Sequence, residues 1–110
     1  MSITVNLSYT GTYGSAKAFA REMILSGIVE QIRAEKGNLR YEYFVPFYGD
    51  RETVLLIDSW EGQNAIDIHH SSPMMKKIAE LREKYNLHMK IERFYSDDKI
   101  PEQDKNFIRE

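Results

Sequence analysis

The 110-residue chain contains no cysteine and no long apolar run, and its acidic and basic residues nearly balance. Without cysteine it can form no disulfide framework, thiol nucleophile or cysteine-bound metal site, and this composition suits a reducing cytosol. No apolar segment is long enough to span a membrane, and the first residues show no signal-peptide pattern. A formal net charge of −2 gives no footprint for nucleic acid or an anionic membrane. We therefore expect a cytoplasmic protein without nucleic-acid or membrane partners.

Histidine is scarce too, with only three copies, and glycine-rich cofactor loops are missing. His69 and His70 are adjacent, but no carboxylates lie at the spacing that a metal site needs. The segment GTYG at residues 11–14 is too short for a phosphate-binding loop and lacks the lysine of such a loop. No dinucleotide-binding fingerprint is present. We therefore predict that the protein uses no metal, haem, flavin or nicotinamide cofactor.

What is present is the composition of one globular domain, with 42% apolar and 29% charged residues. We assign residues 1–96 to this domain and residues 97–110 to a charged C-terminal tail. Alternation of apolar and polar residues, or a continuous apolar run, predicts strands at residues 3–9, 39–47, 53–61 and 87–95. Helical spacing of apolar residues predicts helices at residues 15–36, 62–70 and 73–85, the first weakened at Gly27.

This order of elements predicts an α+β fold of the ferredoxin-like type, β-α-β-β-α-β. Such a fold has a four-stranded antiparallel sheet with helices on one face. The third strand, however, is apolar on both faces up to Asp58, so the second face of the sheet needs a cover. In so short a chain we expect a second copy to provide it, which predicts a homodimer with the sheets packed face to face.

The candidate site residues lie on the first strand and at the end of the third. Asn6 is in the middle of a polar strand face, where it is either solvated or lines a pocket. Asp58 interrupts an apolar face, and we expect it to pair with Arg40 or Arg93. His69 and His70 are about 100° apart on a helix, so only one can face a small pocket.

Between the two histidines, we predict that His69 faces the cleft. It follows Ala65 by four residues, and this small side chain leaves room for a ligand, whereas His70 follows the larger Ile66. The alternative for either histidine is a structural role, as a helix-terminal residue bonded to a nearby carbonyl group.

Several segments together resemble the antibiotic biosynthesis monooxygenase family, whose members are small dimeric α/β-barrel proteins that include quinol monooxygenases. The segments are strand one with Asn6, AEKGNLRYEY at residues 34–43, LLIDSWEGQNAIDIHHSSPMM at residues 55–75, and the final strand. They contain the pattern of that family: a glycine before an aromatic strand, a W-E pair at a strand end, and an H-x-x-S element before a helix. The resemblance extends over about residues 2–95.

This resemblance implies a cofactor-independent monooxygenase that acts with molecular oxygen on a quinol-like or polyphenolic small molecule. An electron-rich phenolate can pass one electron to triplet oxygen without a metal or flavin, given a base and donors for the anion. The resemblance places Asn6, Trp60 and His69 in the site, where we expect His69 to be the base, Asn6 the anion donor and Trp60 an aromatic wall. We further expect Tyr43, Arg40 and His70 to be substrate-binding residues. Haem degradation is disfavoured, because those relatives need a tryptophan in place of His69 and a histidine in place of Ala79.

Two other functions stay open. The segment GNLRYE at residues 37–42 also resembles isomerases of a small phosphorylated hydroxy-ketone, in which His69 would move a proton and Arg40 would meet the phosphate. The chain could instead be a non-catalytic dimer that binds a hydrophobic ligand.

Overall fold

The structure is a computed structural model that describes residues 1–110. Its strands are β1 Ile3–Thr10, β2 Asn38–Phe44, β3 Thr53–Trp60 and β4 His88–Tyr95. Its helices are α1 Ser15–Leu25, α2 Ile28–Arg33, α3 Gln63–His70 and α4 Met74–Lys84. Short 3₁₀ segments lie at Thr12–Gly14 and Glu102–Phe107. No helix has both the length and the apolar character that a membrane crossing requires.

The four strands form one antiparallel sheet in the order β2-β3-β1-β4. This arrangement confirms the predicted ferredoxin-like fold. Val5 of β1 pairs with Asp58 on one side and with Arg93 of β4 on the other. Because side chains alternate along a strand, residues that pair in register share one face of the sheet. Odd-numbered residues of β1 and β4 therefore lie on the same face as even-numbered residues of β3.

The hydrophobic core lies between the helices and this face of the sheet, which we call the helix face. Tyr9, Leu56 and Trp60 of the sheet are at most 1% exposed, and Phe19 and Met23 of α1 are completely buried. Burying a large apolar side chain contributes about 1.5–3 kcal/mol to folding. This face therefore holds most of the stabilising contacts of the domain.

Two predicted elements are shorter than the sequence indicated. The predicted helix at residues 15–36 is two helices, because Gly27 adopts a left-handed conformation with φ 85° between α1 and α2. The strand predicted to reach Phe47 ends at Phe44, two residues before Pro46, whose nitrogen has no hydrogen to donate to a strand ladder. Both differences arise at residues with unusual backbone properties, since Gly27 has an unusually free backbone and Pro46 an unusually restricted one.

The opposite side of the sheet, which we call the open face, has no helix over it. On β3 it holds Leu55 and Ile57, which are half-buried. Strand β3 is central, as predicted, but in the single chain only its helix face is covered. Residues 97–110 are all exposed, and their assignment as a tail separate from the domain stays a prediction.

Candidate functional site

A cavity of about 240 Å³ lies between the helix face of the sheet and helices α3 and α4. Strands β1, β3 and β4 and helices α3 and α4 all contribute lining residues. The apolar lining residues are Val5, Leu7, Trp60, Ile66, Met75, Met89 and Ile91, and the polar ones are Asp58, His70, Arg82 and Arg93. The site is therefore an apolar pocket with a few converging ionisable groups, as is typical of small-molecule sites.

The cavity exists because the helices do not cover the last strand. Strand β4 is an edge strand, and all eight of its residues are exposed. On its helix face, Met89 and Ile91 are 38% and 57% exposed although both are apolar. Exposed apolar side chains on the helix face of an edge strand form a surface that an apolar ligand can bind.

Asp58 is the buried acid of this cavity, and its side chain lies on the central strand. The residue is 8% exposed, and the indole Nε1–H of Trp60 donates a hydrogen bond of 2.6 Å to its Oδ1. Burial raises the pKa of Asp58 to about 6, although the hydrogen bond from Trp60 acts in the opposite direction. A carboxyl group that titrates near neutrality can accept a proton from a ligand and later release it.

Two arginines supply positive charge to the same cavity. The Nη2–H of Arg82, from α4, donates to the Tyr9 hydroxyl over 3.0 Å, and its buried Nε–H has no hydrogen-bond partner. The Nη2–H of Arg93, from β4, donates to the side-chain oxygen of Gln63 over 2.6 Å. Neither arginine forms an ion pair with Asp58. Both guanidinium groups therefore keep donors available for an anion.

His70, rather than His69, lines this cavity. Burial lowers the pKa of His70 from its ordinary value of 6.5, which favours the neutral ring. His69 is 4% exposed and lies behind Trp60, with the two ring centroids 4.8 Å apart. Its Nδ1 is 2.9 Å from Oε2 of Glu35. His69, which we predicted to face the cleft, is therefore buried behind Trp60 and is not among the residues that line this cavity, so its role stays a prediction.

The position of His69 has a physical cause in the close contact between α3 and the start of β2. A Cβ atom on Gly37 would lie only 2.6 Å from the Cβ of Ala65, and the Gly37 carbonyl accepts the Glu61 N–H over 2.8 Å. The small side chain of Ala65 therefore makes room for the backbone of Gly37 and not for a ligand. Its helix neighbour one turn later, His69, faces Glu35, while Ile66 and His70 face the cavity.

The structure does not bring the remaining predicted site residues to the cavity. Asn6 lies on the open face, in register with Ile57, and its buried Oδ1 has no partner. Arg40 lies on the same open face, where it bonds Glu42 over 3.1 Å, and it does not form the ion pair with Asp58 that we expected. Tyr43 packs in the core, and burial raises its pKa. Of the six predicted residues, only Trp60 and His70 line the cavity.

Residues 2–81 match the family model described as antibiotic biosynthesis monooxygenase. The chain belongs to the antibiotic biosynthesis monooxygenase family. This match confirms the resemblance found in the sequence. Among curated protein sequences, none matches the chain significantly. Within the structure, no group of three or more histidine, aspartate or glutamate side chains is arranged to hold a metal ion.

Solved structures share the fold of this family member. A protein from Deinococcus radiodurans, described as a candidate antibiotic biosynthesis monooxygenase, is 18% identical, with 92% of this chain and 97% of that chain covered and a TM-score of 0.75. PA3566 from Pseudomonas aeruginosa is 26% identical, with coverages of 86% and 93% and a TM-score of 0.72. SnoaB, a cofactor-independent oxygenase from Streptomyces nogalater, is 14% identical, with coverages of 92% and 98% and a TM-score of 0.69.

The sequence-based prediction did not assign three ionisable residues to the cavity of this family member. Asp58 was expected only to form a structural pair, and Arg82 had no predicted role. Arg93 was considered only as a partner of Asp58. One signal was available in the alternation of β4, because Arg93 shares a strand face with the apolar residues Met89 and Ile91. A charged residue within an apolar strand face often marks a site.

Proposed function

We propose that the protein is a cofactor-independent monooxygenase that oxidises a quinol-like or polyphenolic small molecule in the cavity beside Trp60. The observation that carries this proposal is the combination of apolar walls with a buried carboxyl group of pKa about 6 and two arginines. Membership of the family supports the reaction class, and the name of SnoaB, a cofactor-independent oxygenase, supports the absence of a cofactor.

In this proposal, ionised Asp58 removes a proton from a substrate hydroxyl, and Arg82 stabilises the resulting phenolate. The electron-rich anion then passes one electron to triplet oxygen, and the two radicals combine to form a C–O bond. Cleavage of the O–O bond leaves a carbonyl oxygen on the substrate and releases the other oxygen atom as water. Because the substrate supplies all four electrons and both hydrogen atoms of that water, no external reductant is needed.

His69 has a supporting part in this scheme. Its ring packs on the indole of Trp60, and Glu35 holds its Nδ1. It would therefore orient Trp60, whose Nε1–H bonds the proposed base Asp58. The sequence-based assignment of His69 as the base, with Asn6 as anion donor, stays a prediction that the same experiment separates from this one.

The test is oxygen uptake with 1,4-naphthohydroquinone, compared with autoxidation in the absence of protein. We expect uptake above autoxidation, and a fall on the order of a hundredfold in Asp58→Asn, as is typical for the loss of a general base. His69→Ala should have a smaller effect. The matched control is Asp98→Asn, which changes an exposed aspartate of the tail and should leave uptake unchanged.

Different outcomes separate the alternatives. If Asp58→Asn kept full oxygen uptake and His69→Ala lost it, His69 and not Asp58 would be the base. The isomerase alternative predicts no oxygen uptake, but exchange of solvent deuterium into a phosphorylated hydroxy-ketone. A binding protein would show neither activity, although a ligand would still raise its melting temperature. Uptake no faster than autoxidation would therefore contradict the proposed reaction.

We also infer that two copies associate through the open face. In one chain this face leaves Phe44 and Phe94 37% and 50% exposed, Leu55 half-buried, and the amide oxygen of Asn6 without a partner. A second sheet would cover these groups. Sedimentation equilibrium at micromolar concentration should give about twice the 12.9 kDa of one chain, and a monomer there would contradict the inference. The cytoplasmic location stays a prediction from composition.

A further inference from the structure

We propose that the substrate carries a carboxylate group in addition to its oxidised hydroxyl, and that Arg93 at the rim of the cavity binds it. This inference rests on the proposed function, because it assumes that the cavity is the substrate site. It specifies the substrate class as a small hydroxyaromatic acid of one or two rings. The reasons are the position of Arg93, the charge balance of the cavity, and its size.

The two arginines occupy different depths of the cavity. Arg82 is half-buried and bonds the hydroxyl of Tyr9, which is completely buried. Arg93 is exposed and bonds only the side chain of Gln63, at the first turn of α3. The acid Asp58 is buried. The inner arginine can therefore meet an anion formed beside Asp58, whereas Arg93 can meet only a group at the outer end of the ligand.

The ionisable lining of the cavity has more basic than acidic groups. The ionisable lining groups are Asp58, His70, Arg82 and Arg93. When Asp58 has taken the substrate proton, the two arginines carry two positive charges and the phenolate carries one negative charge. The guanidinium of Arg93 then has no anionic partner among these lining groups. A permanent carboxylate on the substrate would neutralise it, and an arginine binds a carboxylate with two parallel hydrogen bonds.

The shape and size of the cavity favour a small ring system between these two charges. Met89 and Ile91 lie on the same face of β4 as Arg93, so an apolar surface leads from the rim toward the floor. The cavity volume of about 240 Å³ lies below the range of roughly 300–1,000 Å³ that is usual for drug-sized ligands. This volume suits a ligand of one or two rings better than a larger polycyclic one.

The test is a binding titration without oxygen, followed by NMR through the indole N–H signal of Trp60, the only tryptophan of the chain. The matched ligands are 2,5-dihydroxybenzoate and hydroquinone, which share the ring and both hydroxyl groups and differ by the carboxylate. We expect the benzoate to bind at least tenfold more tightly to the unmodified protein. In Arg93→Gln its affinity should fall at least fivefold, while that of hydroquinone should change by less than twofold.

Two further variants make the result specific. Arg93→Lys should recover part of the affinity for the benzoate, because it restores the charge without the paired hydrogen bonds. Arg21→Gln removes the same charge from an exposed position on α1 and should leave both affinities unchanged. Since Arg93 is exposed, its replacement should not prevent folding, and the NMR spectrum itself reports whether the fold is intact.

The proposal would be overturned if the benzoate failed to bind, if both ligands bound equally, or if Arg93→Gln and Arg21→Gln had the same effect. The proposal would also be overturned if phenyl phosphate bound more tightly than benzoate, because the rim would then prefer a phosphate group to a carboxylate. Because oxygen is absent, this result is independent of turnover. If the protein takes up oxygen but does not bind the carboxylate-bearing ligand more tightly, only this inference is wrong. If it binds that ligand more tightly but does not take up oxygen, only the proposed reaction is wrong.

Discussion

The two faces of the sheet differ although the same strands build both. On the helix face, alternate residues such as Leu56 and Trp60 are at most 1% exposed. On the open face their sequence neighbours Leu55 and Ile57 are only half-buried. The cavity with Asp58 belongs to the helix face, and Asn6 belongs to the open face. Residues that are adjacent in sequence thus serve two different environments, and a site cannot be assembled from sequence proximity alone.

The largest test of this difference uses two neighbouring leucines of β3. Leu56→Ala should lower the free energy of unfolding by about 2–5 kcal/mol, because it leaves a cavity in a closed core. Leu55→Ala should cost no more than about 1 kcal/mol, since the side chain is already partly in water. Chemical denaturation at a dilution where the chain is monomeric measures both. Equal losses of unfolding free energy in the two variants would contradict the two-face description. If the difference between the two losses became smaller at higher protein concentration, this would support the dimer.

A second test concerns the acid on the helix face. Folding raises the pKa of Asp58 from 3.8 to about 6. The folded state therefore favours the protonated form, and this contribution to stability is fully present below pH about 4 and lost as the pH rises through 6. Asp58→Asn removes the titration. Its stability relative to the unmodified protein should rise by about 2 kcal/mol between pH 4 and pH 7.

Urea denaturation at several pH values between 4 and 7 measures this difference. Asp98→Asn, at an exposed position of the tail, is the control and should give a stability difference that does not change with pH. If the difference for Asp58→Asn were equally flat, the buried carboxyl group would not have the raised pKa on which the proposed base depends.

The smallest expected effect on stability tests whether Glu35 supports the buried ring of His69. Glu35→Ala removes the carboxylate from the Nδ1 of this buried ring, and an unpaired buried polar group costs about 1–3 kcal/mol. Glu30→Ala, at an exposed position on α2, is the matched control and should change stability by less than about 0.5 kcal/mol. Thermal unfolding of both variants makes the comparison. Equal effects would mean that Glu35 does not support His69.

The sequence predicted the elements well where one local rule applied. Alternation located β1 and β4 within a residue or two, and helical spacing located α3 and α4. The resemblance to the family followed from motifs near strand and helix ends, and the family match confirmed it. The boundaries that were wrong lay at Gly27 and Pro46, where backbone restraints compete with the apolar pattern.

The candidate site was only partly predictable, because its residues come from different elements. Trp60 was found from its place at a strand end. Asn6 was chosen through the family resemblance although the alternation of β1 already placed it on the polar face, opposite Ile3 and Leu7. Arg82 and Arg93 are eleven positions apart in sequence and meet only because α4 and β4 lie on either side of one cavity.

The sequence by itself therefore determined the periodicity of each element, the face that each strand residue occupies, and the family. These properties depend on backbone geometry over a few residues, and the chain carries them before it folds. Only the tertiary structure decided that His70 and not His69 meets the cavity. The rotation of α3 about its axis is set by the close contact of Ala65 with Gly37, and that contact joins segments that are distant in sequence.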